Sequence, residues 1–561
     1  MNGRLRLTHR KAPPIVLRKF PPGWNGTSTM IERMPSLVAL ARWCVVGVLA
    51  AVSLTGCIET RSEEEKADSI IYAYENDIFT FDPTRQRMMK EAAVMAQVME
   101  GLTRWNNDIQ LEPSLAHSWE GADDCTSWTF HLRPNVVFHD GTPFNSEAVQ
   151  AHFYRTKDPA TAATRRHFVE HIDRIDCPDP LTVVFHLTKP DCVFPQNMAA
   201  TYGMIPSPTA VANLEKPFGR NPVGTGPFRF VGWEKGLSIQ LEKNEKHWNA
   251  SKYHLRNLEF RSVRENTTRL IQLEQGVVDM ADVFFAQVNV AKQSPHIELQ
   301  TTPMLAVRYI GFNTRKKPFS DVRVRQAANY AVDRASMIKY QFFGVGMAAK
   351  GPLPSIMPNH NPNVEAYEYN PDKAKALLAE AGYPNGIDVV FWTQDKGEYR
   401  VAAEAVSEYL RQVGIRVDMK IIDTAAYWKK FDEYILPTGE RYPEREGVYD
   451  MFVGGWAGGE AEYDYLRPLF HSASTSNSTF YANDDLDKRL DAYSATPDEA
   501  TRVRMLHEMQ AQITSDAPWI FSYYSQVNVG YQRRIEGFRI NPTSRYFFSD
   551  VYARAGGGGI Q

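Results

Sequence analysis

The positions of apolar residues along the chain predict β-strands in three places. IIYAY at 70–74 is a β-branched and aromatic run, while SWTFHL at 127–132 and LTVVFHL at 181–187 alternate apolar with polar residues. A period of two is typical of a strand that buries one face. The two alternating segments are flanked by Pro and Asp residues, which favour turns.

Other segments carry the wider spacing of amphipathic helices. We expect helices at 88–102, 144–155, 321–343 and 372–383. Asn145 is placed to cap the second helix, and Gly382 followed by Pro384 ends the last one. Strands and helices intermix and no repeat is visible, so the pattern predicts an α/β chain with several sub-domains.

One apolar run lies outside this pattern. Residues 43–54, WCVVGVLAAVSL, follow Arg33 and Arg42. A membrane-spanning helix needs about 20 apolar residues, so this shorter run indicates the core of a secretory signal. It ends at Leu54-Thr55-Gly56-Cys57, which resembles a bacterial lipobox, and we expect Cys57 to be lipidated and to begin the mature chain. Translation then starts at Met1, Met30 or Met34, and the charged residues after Cys57 form a solvated tether.

Composition narrows the classes of function. The 561 residues include 63 basic and 66 acidic side chains, 43% are hydrophobic, and the formal net charge is -3. Such a chain can bury a large core, which excludes a disordered or collagen-like protein. The chain lacks the excess of basic residues that nucleic-acid binding needs, so nucleic acid is not an expected partner. Three cysteines remain after Cys57, namely Cys125, Cys177 and Cys192, which permits one internal disulfide whose pairing the sequence leaves open.

The one motif that suggests an enzyme is His167-Phe168-Val169-Glu170-His171. It matches the H-x-x-E-H pattern of inverted zinc proteases, in which two histidines one helical turn apart bind the metal. The residues that follow predict a hairpin, and in a strand residues four apart lie about 13 Å from each other. We therefore expect ordinary surface histidines, and neither a catalytic residue nor a cofactor or metal. The glycine-rich PVGTGPF at 222–228 lacks the Lys-Ser/Thr of a phosphate-binding loop and is expected to form a turn.

Six ordered motifs resemble one family across nearly all of the mature chain. The resemblance is to the extracytoplasmic solute-binding proteins of peptide and nickel ABC importers (family 5, similar to dipeptide- and oligopeptide-binding proteins). The motifs are ENDIFTFDP; the run EGLTRWN, LEPSLAHSWE and WTFHLRPNVVFHDGTPFNSEAV; NPVGTGPFRFVGW; LEQGVVDMA; FSDVRVRQAANYAVDR; and APWIFSYYSQVNVGY.

The resemblance implies a two-lobed periplasmic-binding-protein fold (type II, cluster C-like) with an extra sub-domain in lobe one and a two-strand hinge. The chain would cross between the lobes near Tyr309-Ile310-Gly311 and Phe521-Ser522-Tyr523. The implied divisions are 1–56 signal region, 57–67 lipidated tether, 68–105 with 221–305 and 521–561 lobe-one core, 106–220 inserted sub-domain, and 306–520 lobe two.

The resemblance also implies a ligand-binding set. A strand containing Val453, Gly454 and Gly455 and a loop containing Ile78, Phe79 and Thr80 would flank an extended ligand and bond its main chain. The two glycines would let the ligand backbone approach closely. Aromatic walls would come from Trp428, Trp456 and Tyr524.

At one position the sequence departs from the family. Peptide binders commonly carry an aspartate three residues after this tryptophan, where it pairs with the α-amine of the ligand, but here the position is Gly459. An unpaired buried charge costs several kcal/mol. A substitute carboxylate is then needed, with Glu460 or Glu462 nearest and Asp464 behind them, or else the ligand is not an ordinary peptide.

The expected protein is a monomeric, lipid-anchored receptor in the bacterial periplasm or cell envelope that delivers a peptide or peptide-like solute to ABC permease subunits. A nickel-chelate or other small-solute receptor is the alternative within the family, with His471 as the candidate nickel-side histidine. A secreted α/β hydrolase, or a surface sensor or chaperone without a permease, are the alternatives outside it.

Overall fold

The computed structural model describes residues 61–554 apart from 87, 214, 396, 433–448, 458–461 and 544. The predicted signal region, Cys57 and the two candidate ligand residues Gly459 and Glu460 lie outside the described residues. Within the described part, no helix has both the length and the apolar character needed to cross a membrane.

Strands and helices intermix along the chain, as the sequence predicts. The strands are β1 Ser69–Tyr74, β2 Thr103–Trp105, β3 Leu111–Pro113, β4 Ala116–Gly121, β5 Ser127–Leu132, β6 Ile172–Asp179, β7 Thr182–Leu187, β8 Phe228–Glu234, β9 Ser238–Lys243, β10 Asn257–Ser262, β11 Met280–Asp282, β12 Ile297–Phe312, β13 Met347–Ala348, β14 Ile387–Gln394, β15 Ile415–Ile422, β16 Met451–Ala457, β17 Trp519–Gln532, β18 Ile535–Glu536 and β19 Tyr552–Ala553. The helices are α1 Glu63–Asp68, α2 Met89–Val98, α3 Ser146–Lys157, α4 Phe194–Asn197, α5 Pro208–Ala212, α6 Asn266–Glu274, α7 Val288–Gln293, α8 Val322–Tyr330, α9 Arg334–Gln341, α10 Pro371–Glu380, α11 Gly397–Gln412, α12 Thr424–Asp432, α13 Tyr463–Phe470, α14 Asp484–Tyr493 and α15 Glu499–Asp516.

The largest sheet in the described residues has 11 strands in the order β15-β14-β16-β12-β17-β11-β1-β10-β9-β8, with β13 also pairing with β17. Its centre is the long antiparallel pair β12 and β17, which runs from Ile297 opposite Gln532 to Gly311 opposite Trp519. The register shifts between Pro303 and Val307, so the two strands separate locally there. This irregular stretch lies in the middle of the molecule.

The two long strands connect separate hydrophobic cores. In β12, Met304 packs against the core built on β1 and β8–β11, whereas Leu305 belongs to the core built on β14–β16 and the helices around them. In β17 the change falls between Tyr524 and Val527. In β12 the residues thus pass from one core to the other a few positions before the crossing expected at 309–311. In β17 they do so a few positions after the crossing expected at 521–523. The domain boundaries drawn from the resemblance stay a prediction.

A smaller four-stranded antiparallel sheet, β4-β5-β7-β6, has its own core. Helix α3 packs on it, and Phe153 of this helix meets the ring of Phe185 edge to face at 5.1 Å. The helix begins as predicted, because the side chain of Asn145 accepts a hydrogen bond from the backbone N–H of Ala148. This third core forms without residues of the other two.

A disulfide resolves the cysteine pairing that the sequence left open. Cys125, at the turn between β4 and β5, is bonded to Cys192, just before α4. Cys177 remains a free, half-buried thiol. Sequence spacing could not choose between the pairs, because the choice depends on which backbone segments the sheet brings to within about 6 Å.

Two expectations about local structure are corrected. The segment 321–343 forms two helices, α8 and α9, because Asp333 caps a new helix by accepting a hydrogen bond from the backbone N–H of Ser336. The tether expected to be solvated from 57 to 67 is partly folded. Ser62 and Glu65 form a capping box that starts α1, and Arg61 makes an ion pair of 2.6 Å with the buried Asp279.

Candidate ligand-binding cleft

A cavity of about 530 Å³ lies beside the irregular stretch of the two central strands. One side is formed by the loop after β1, by α2 and α6, and by the end of β11 with the segment that follows it. The other side is formed by the loop after α9 and the start of α11. Part of β17 lies between them. The residues used below are Glu75, Lys90, Arg269, Asp282, Phe284, Phe285, Phe342, Glu398, Tyr523, Ser525 and Asn528. The volume lies within the roughly 300–1,000 Å³ typical of small-molecule sites.

On the first side of the cavity, Lys90 and Asp282 form an ion pair that two tyrosine hydroxyls complete. Lys90 Nζ lies 2.7 Å from Asp282 Oδ2, and the hydroxyls of Tyr72 and Tyr546 donate to Asp282 Oδ1 at 2.7 and 3.2 Å. Burial acts to raise the pKa of Asp282, but Lys90 and the hydrogen bonds outweigh it, so that its pKa lies below the ordinary value. The carboxylate is ionised and its oxygens are occupied.

Arg269 is a buried cation in the same wall. Its guanidinium donates to the backbone oxygens of Asp282 and Val263 and to Asn266 Oδ1, at 2.6–2.8 Å. All three acceptors are neutral. The side chain therefore brings a positive charge to the cavity wall without a hydrogen-bonded carboxylate to neutralise it.

A second ion pair lies on the opposite side. Arg308, on β12, donates to Glu398 Oε1 on the first turn of α11 at 3.2 Å and also donates to the hydroxyl of Tyr523. Its guanidinium lies 5.2 Å from the ring centre of Tyr399. Burial acts to lower the pKa of Arg308, but the charge of Glu398 outweighs it and holds the pKa above its usual range. The guanidinium of Arg308 therefore stays charged although it is buried.

Polar atoms of β17 lack partners where the strand borders the cavity. Ser525 and Asn528 are 7% and 6% exposed, yet Ser525 Oγ and Asn528 Oδ1 have no hydrogen-bond partner among the described residues. Leaving such a group unsatisfied costs about 1–3 kcal/mol. A polar ligand in the cavity would recover this free energy.

Aromatic rings from the two sides meet at one end of the cavity. The rings of Phe285, after β11, and Phe342, after α9, lie 5.2 Å apart between centroids, and Phe284 packs on Phe285 at 4.2 Å. These rings give the cavity wall an apolar part beside its charged and polar groups.

The loop expected to contact the ligand is placed next to the cavity rather than in its wall. Ile78 is buried, Phe79 is 71% exposed, and Thr80 is half-buried. The backbone N–H of Phe79 donates to Glu91 Oε1. The residues of this loop that do line the cavity are the preceding Glu75 and Asn76.

The glycines of strand β16 were expected to let a ligand backbone approach, and the structure shows a packing role for them. A Cβ on Gly454 would lie 2.4 Å from the ring of Tyr309, and one on Gly455 would lie 2.8 Å from Arg308 Nη1. The glycines thus make room for side chains of the neighbouring β12. Val453 is buried, and its backbone oxygen accepts a hydrogen bond from the Tyr427 hydroxyl. Main-chain pairing of β16 with a ligand stays a prediction.

The expected aromatic walls are also outside the cavity lining. Tyr524 is 2% exposed, and its hydroxyl accepts from the backbone N–H groups of Lys350 and Gly351, which favours a packing role. Trp456 is half-buried against the core around β14–β16. Trp428 lies on α12, and its side chain is among the groups not described.

Of the residues expected to supply a carboxylate or a nickel-side histidine, Glu462 and His471 are described, and neither lines the cavity. Glu462 is buried, accepts from the backbone N–H of Asn359 at 3.1 Å, and has a pKa raised by burial. His471 lies 3.3 Å from Asp491. The side chain of Asp464 is not described.

Sequence reasoning missed the charged residues of the wall, namely Lys90, Arg269, Asp282 and Glu398, and also Arg308, which pairs with Glu398 from outside the lining. These residues lie on five different elements, and no motif links them. The one available signal was that hydrophobic elements contain isolated charges, such as Arg308 within the apolar stretch LAVRYIGF.

The histidines of the zinc-protease pattern do not meet. His167 lies in a single helical turn, and His171 lies just before β6, where its Nε2 is 3.1 Å from Asp191. Among the described residues, no group of three or more His, Cys, Asp or Glu side chains could hold a metal ion.

A cavity between two cores that are joined by paired strands defines a two-lobed binding protein, and comparisons with known proteins identify its family. The family described as bacterial extracellular solute-binding proteins, family 5 Middle, matches residues 110–477. The chain belongs to this family. Its fold is the two-lobed type II fold, and it is a solute-binding protein of the kind that serves ABC importers.

Several relatives are similar over most of their length. The glutathione-binding protein GsiB of Pectobacterium atrosepticum is 31% identical over 524 residues, covering 91% of this chain and 98% of the relative. Among solved structures, the ABC transporter-associated periplasmic binding protein DppA of Helicobacter pylori, in complex with the peptide STSA, has a TM-score of 0.75 at 26% identity, covering 88% of this chain and 99% of its own. HbpA2 of Haemophilus parasuis has a TM-score of 0.76 at 26% identity, covering 87% and 100%.

Proposed function

We propose that this protein is the lipid-anchored receptor of an ABC importer, which captures a peptide or peptide-like solute in the cleft and delivers it unchanged to the membrane permease. The observation that carries the proposal is the cavity of about 530 Å³ with charged and polar groups from both sides of the central strand pair. Relatives named for glutathione binding and for a bound peptide support this class of solute.

The mechanism follows from the position of the cavity. β12 and β17 join the two cores, and their register shift at Pro303 to Val307 gives a local weakness where the lobes can rotate. A solute drives closure only by binding the closed form more tightly than the open one. Closure then brings Arg308 and Glu398 toward Lys90, Arg269 and Asp282, and the permease recognises the closed form.

The lipid anchor is proposed at Cys57. Arg61, which makes an ion pair with Asp279, follows Cys57 after three intervening residues of the sequence. Cys57→Ser should abolish incorporation of radiolabelled fatty acid. Labelling of the variant at the level of the wild type would contradict the anchor.

The alternatives are less well supported by the site. A nickel-chelate receptor is the second candidate, but no histidine is found among the described residues that line the cavity. A hydrolase needs a nucleophile with an adjacent base, and the described lining residues contain no such arrangement.

Native mass spectrometry and calorimetry test the proposal. The purified mature protein is titrated with free-amine and N-acetylated di- to pentapeptides, a γ-glutamyl tripeptide and a nickel–histidine chelate. We expect one peptide-like solute per chain, recovered with unchanged mass. Binding of the nickel chelate alone favours the alternative receptor, and a cleaved product rejects the receptor in favour of the hydrolase.

A further inference from the structure

The four-stranded sheet β4-β5-β7-β6 is fixed to the core built on β1 and β8–β11. Arg155, on the helix α3 that covers the sheet, donates through both terminal nitrogens to the carboxylate of Asp82, at 3.1 and 2.5 Å. Asp82 is buried, and Phe81 beside it lies in that core. A buried bidentate pair is costly to break. The sheet and this core therefore form one side of the cleft.

A hydrogen bond away from the central strands joins this side to the other one. The backbone N–H of Cys192, just before α4, donates to the backbone oxygen of Ser494 at 2.6 Å. Ser494 is the C-terminal cap of α14, and Leu486 and Leu490 of this helix lie in the core around β14–β16. The last carbonyl groups of a helix have no partner within it. Cys192 supplies one such partner from the opposite side of the cleft.

The next residue adds an apolar contact between the same two sides. Val193 is buried in the core around β14–β16, whereas its neighbour Phe194 is buried in the core of the four-stranded sheet. Adjacent side chains thus belong to different sides of the cleft. If the two sides separate, Val193 loses its apolar surroundings.

The disulfide and Asp191 hold this segment in position. Cys192 is bonded to Cys125, and the backbone N–H of Asp191 donates to the backbone oxygen of Cys125 at 3.0 Å. The carboxylate of Asp191 accepts from the backbone N–H of Val193 and from Asn197 Nδ2, each at 3.2 Å. None of these residues is among the described residues that line the cavity. The segment is therefore built to contact α14 and does not touch the solute.

Given the closing cleft of the proposed function, we propose that residues 191–193 and the end of α14 form a closing contact remote from the solute, which the Cys125–Cys192 disulfide positions. Closure forms the contact and opening breaks it, because its two halves lie on different sides of the hinge strands. The contact shifts the equilibrium toward the closed form. It raises the affinity for every solute alike, since affinity scales with the fraction of chains in the binding-competent form.

Energy transfer between two dyes tests the proposal without a solute. Ala151 on α3 and Lys488 on α14 are exposed, and both are replaced by a ketone-bearing amino acid that takes the dyes and leaves the cysteines untouched. The measured quantity is the ratio of closed to open molecules.

The Cys125→Ser, Cys192→Ser double variant releases the segment from the sheet. Loss of the hydrogen bond to Ser494 should lower the ratio of closed to open molecules about 2- to 10-fold. Cys177→Ser, at the free thiol, should leave the ratio at the wild-type value. A double variant with the wild-type ratio overturns the proposal.

Two matched valine variants test the contact while the disulfide stays intact. Val193→Ala removes two methyl groups from the contact and should lower the ratio about 10-fold. Val183→Ala removes the same groups from β7, in the core of the four-stranded sheet, and should leave the ratio unchanged. Equal reductions would show general loosening and reject the contact. If the double variant does not fold, this pair decides, and a ratio that Val193→Ala does not change overturns the proposal.

Failure of the closing contact is separable from failure of the proposed function. The ratio is measured without a solute, so the contact can fail while solutes still bind unchanged. The receptor proposal fails when no solute of the panel binds, whatever the ratio is.

Discussion

At the scale of single residues, the buried charges of the cleft are stabilised by ion pairs and hydrogen bonds. Each charge is stabilised by partners from distant parts of the sequence, such as Asp282 by Lys90 and Tyr546. Removing one member of such a pair leaves the other buried and unpaired, which costs more than the pair itself contributes. Charges on the outer surface do not share this sensitivity.

Asp282→Asn should therefore lower the free energy of unfolding by about 3 kcal/mol, because Lys90 loses its counter-charge. The matched control is Asp388→Asn, whose carboxylate is exposed and paired with Arg416 at 2.7 Å. We expect the control to leave the free energy of unfolding nearly unchanged, because water screens an exposed pair. Chemical denaturation measures both, and equal losses would show that the cleft pair is no more important than a surface pair.

A buried histidine makes a pH-dependent contribution to the free energy of unfolding. His152 lies under Tyr202, whose backbone oxygen accepts from its ring, and burial lowers the pKa of His152 to about 4. The unfolded chain binds this proton more readily than the folded one between about pH 6.5 and 4. Stability from the neutral ring is thus present above pH 6.5 and is lost as the pH falls to 4.

His152→Gln should remove this part of the pH dependence while it keeps a donor for Tyr202. Between pH 6.5 and 4 the wild type should lose about 3 kcal/mol more than the variant. His117→Gln, at an exposed position, serves as the control and should follow the wild type. Parallel curves for the wild type and His152→Gln would contradict the prediction.

At the scale of elements, local patterns were enough to place many strands and helices. The strand predictions at 70–74, 127–132 and 181–187 are confirmed, as is the helix at 144–155 with its Asn145 cap. The break between α8 and α9 was missed, because the apolar spacing continues through it and only the Asp333 cap marks the new start. The apolar pattern shows which face of a helix is buried, but the capping residues decide where the helix begins and ends.

The disulfide fixes the inserted sheet to the segment before α4. Cys125 and Cys192 are 67 residues apart in sequence, so the bond restricts a long loop of the unfolded chain. The Cys125→Ser, Cys192→Ser double variant should lower the free energy of unfolding by about 2–5 kcal/mol. Cys177→Ser, at the free thiol, should change it by less than about 0.5 kcal/mol. A double variant as stable as the single one would show that the bond adds nothing.

At the scale of the whole molecule, the strands β12 and β17 join two of the hydrophobic cores, and the described cavity lies beside them. The rings of Phe285 and Phe342 come from opposite sides of the cavity and lie 5.2 Å apart between centroids. We therefore expect small-angle scattering to show a smaller radius of gyration with a bound solute than without it. The control is a solute that calorimetry shows not to bind. An unchanged radius at saturating solute would contradict a closing cleft.

The sequence predicted the fold more fully than it predicted the binding site. The motifs indicated the family, and the comparisons confirm it. The candidate ligand residues were transferred position by position, and the structure places Tyr524 in a core and lets Gly454 accommodate Tyr309. A sequence motif shows which residue types recur in a family, but it does not show which side chains line the cavity.

The sequence by itself determined the elements and the class of protein, because apolar periodicity, capping residues and family motifs are local properties of the chain. Tertiary structure alone decided the Cys125–Cys192 bond, the Lys90–Asp282 cluster and the ion pair of Arg308 and Glu398. Each of these joins residues that are tens to hundreds of positions apart. Whether a charge is buried, paired or free depends on distances of a few ångströms, which only the folded chain sets.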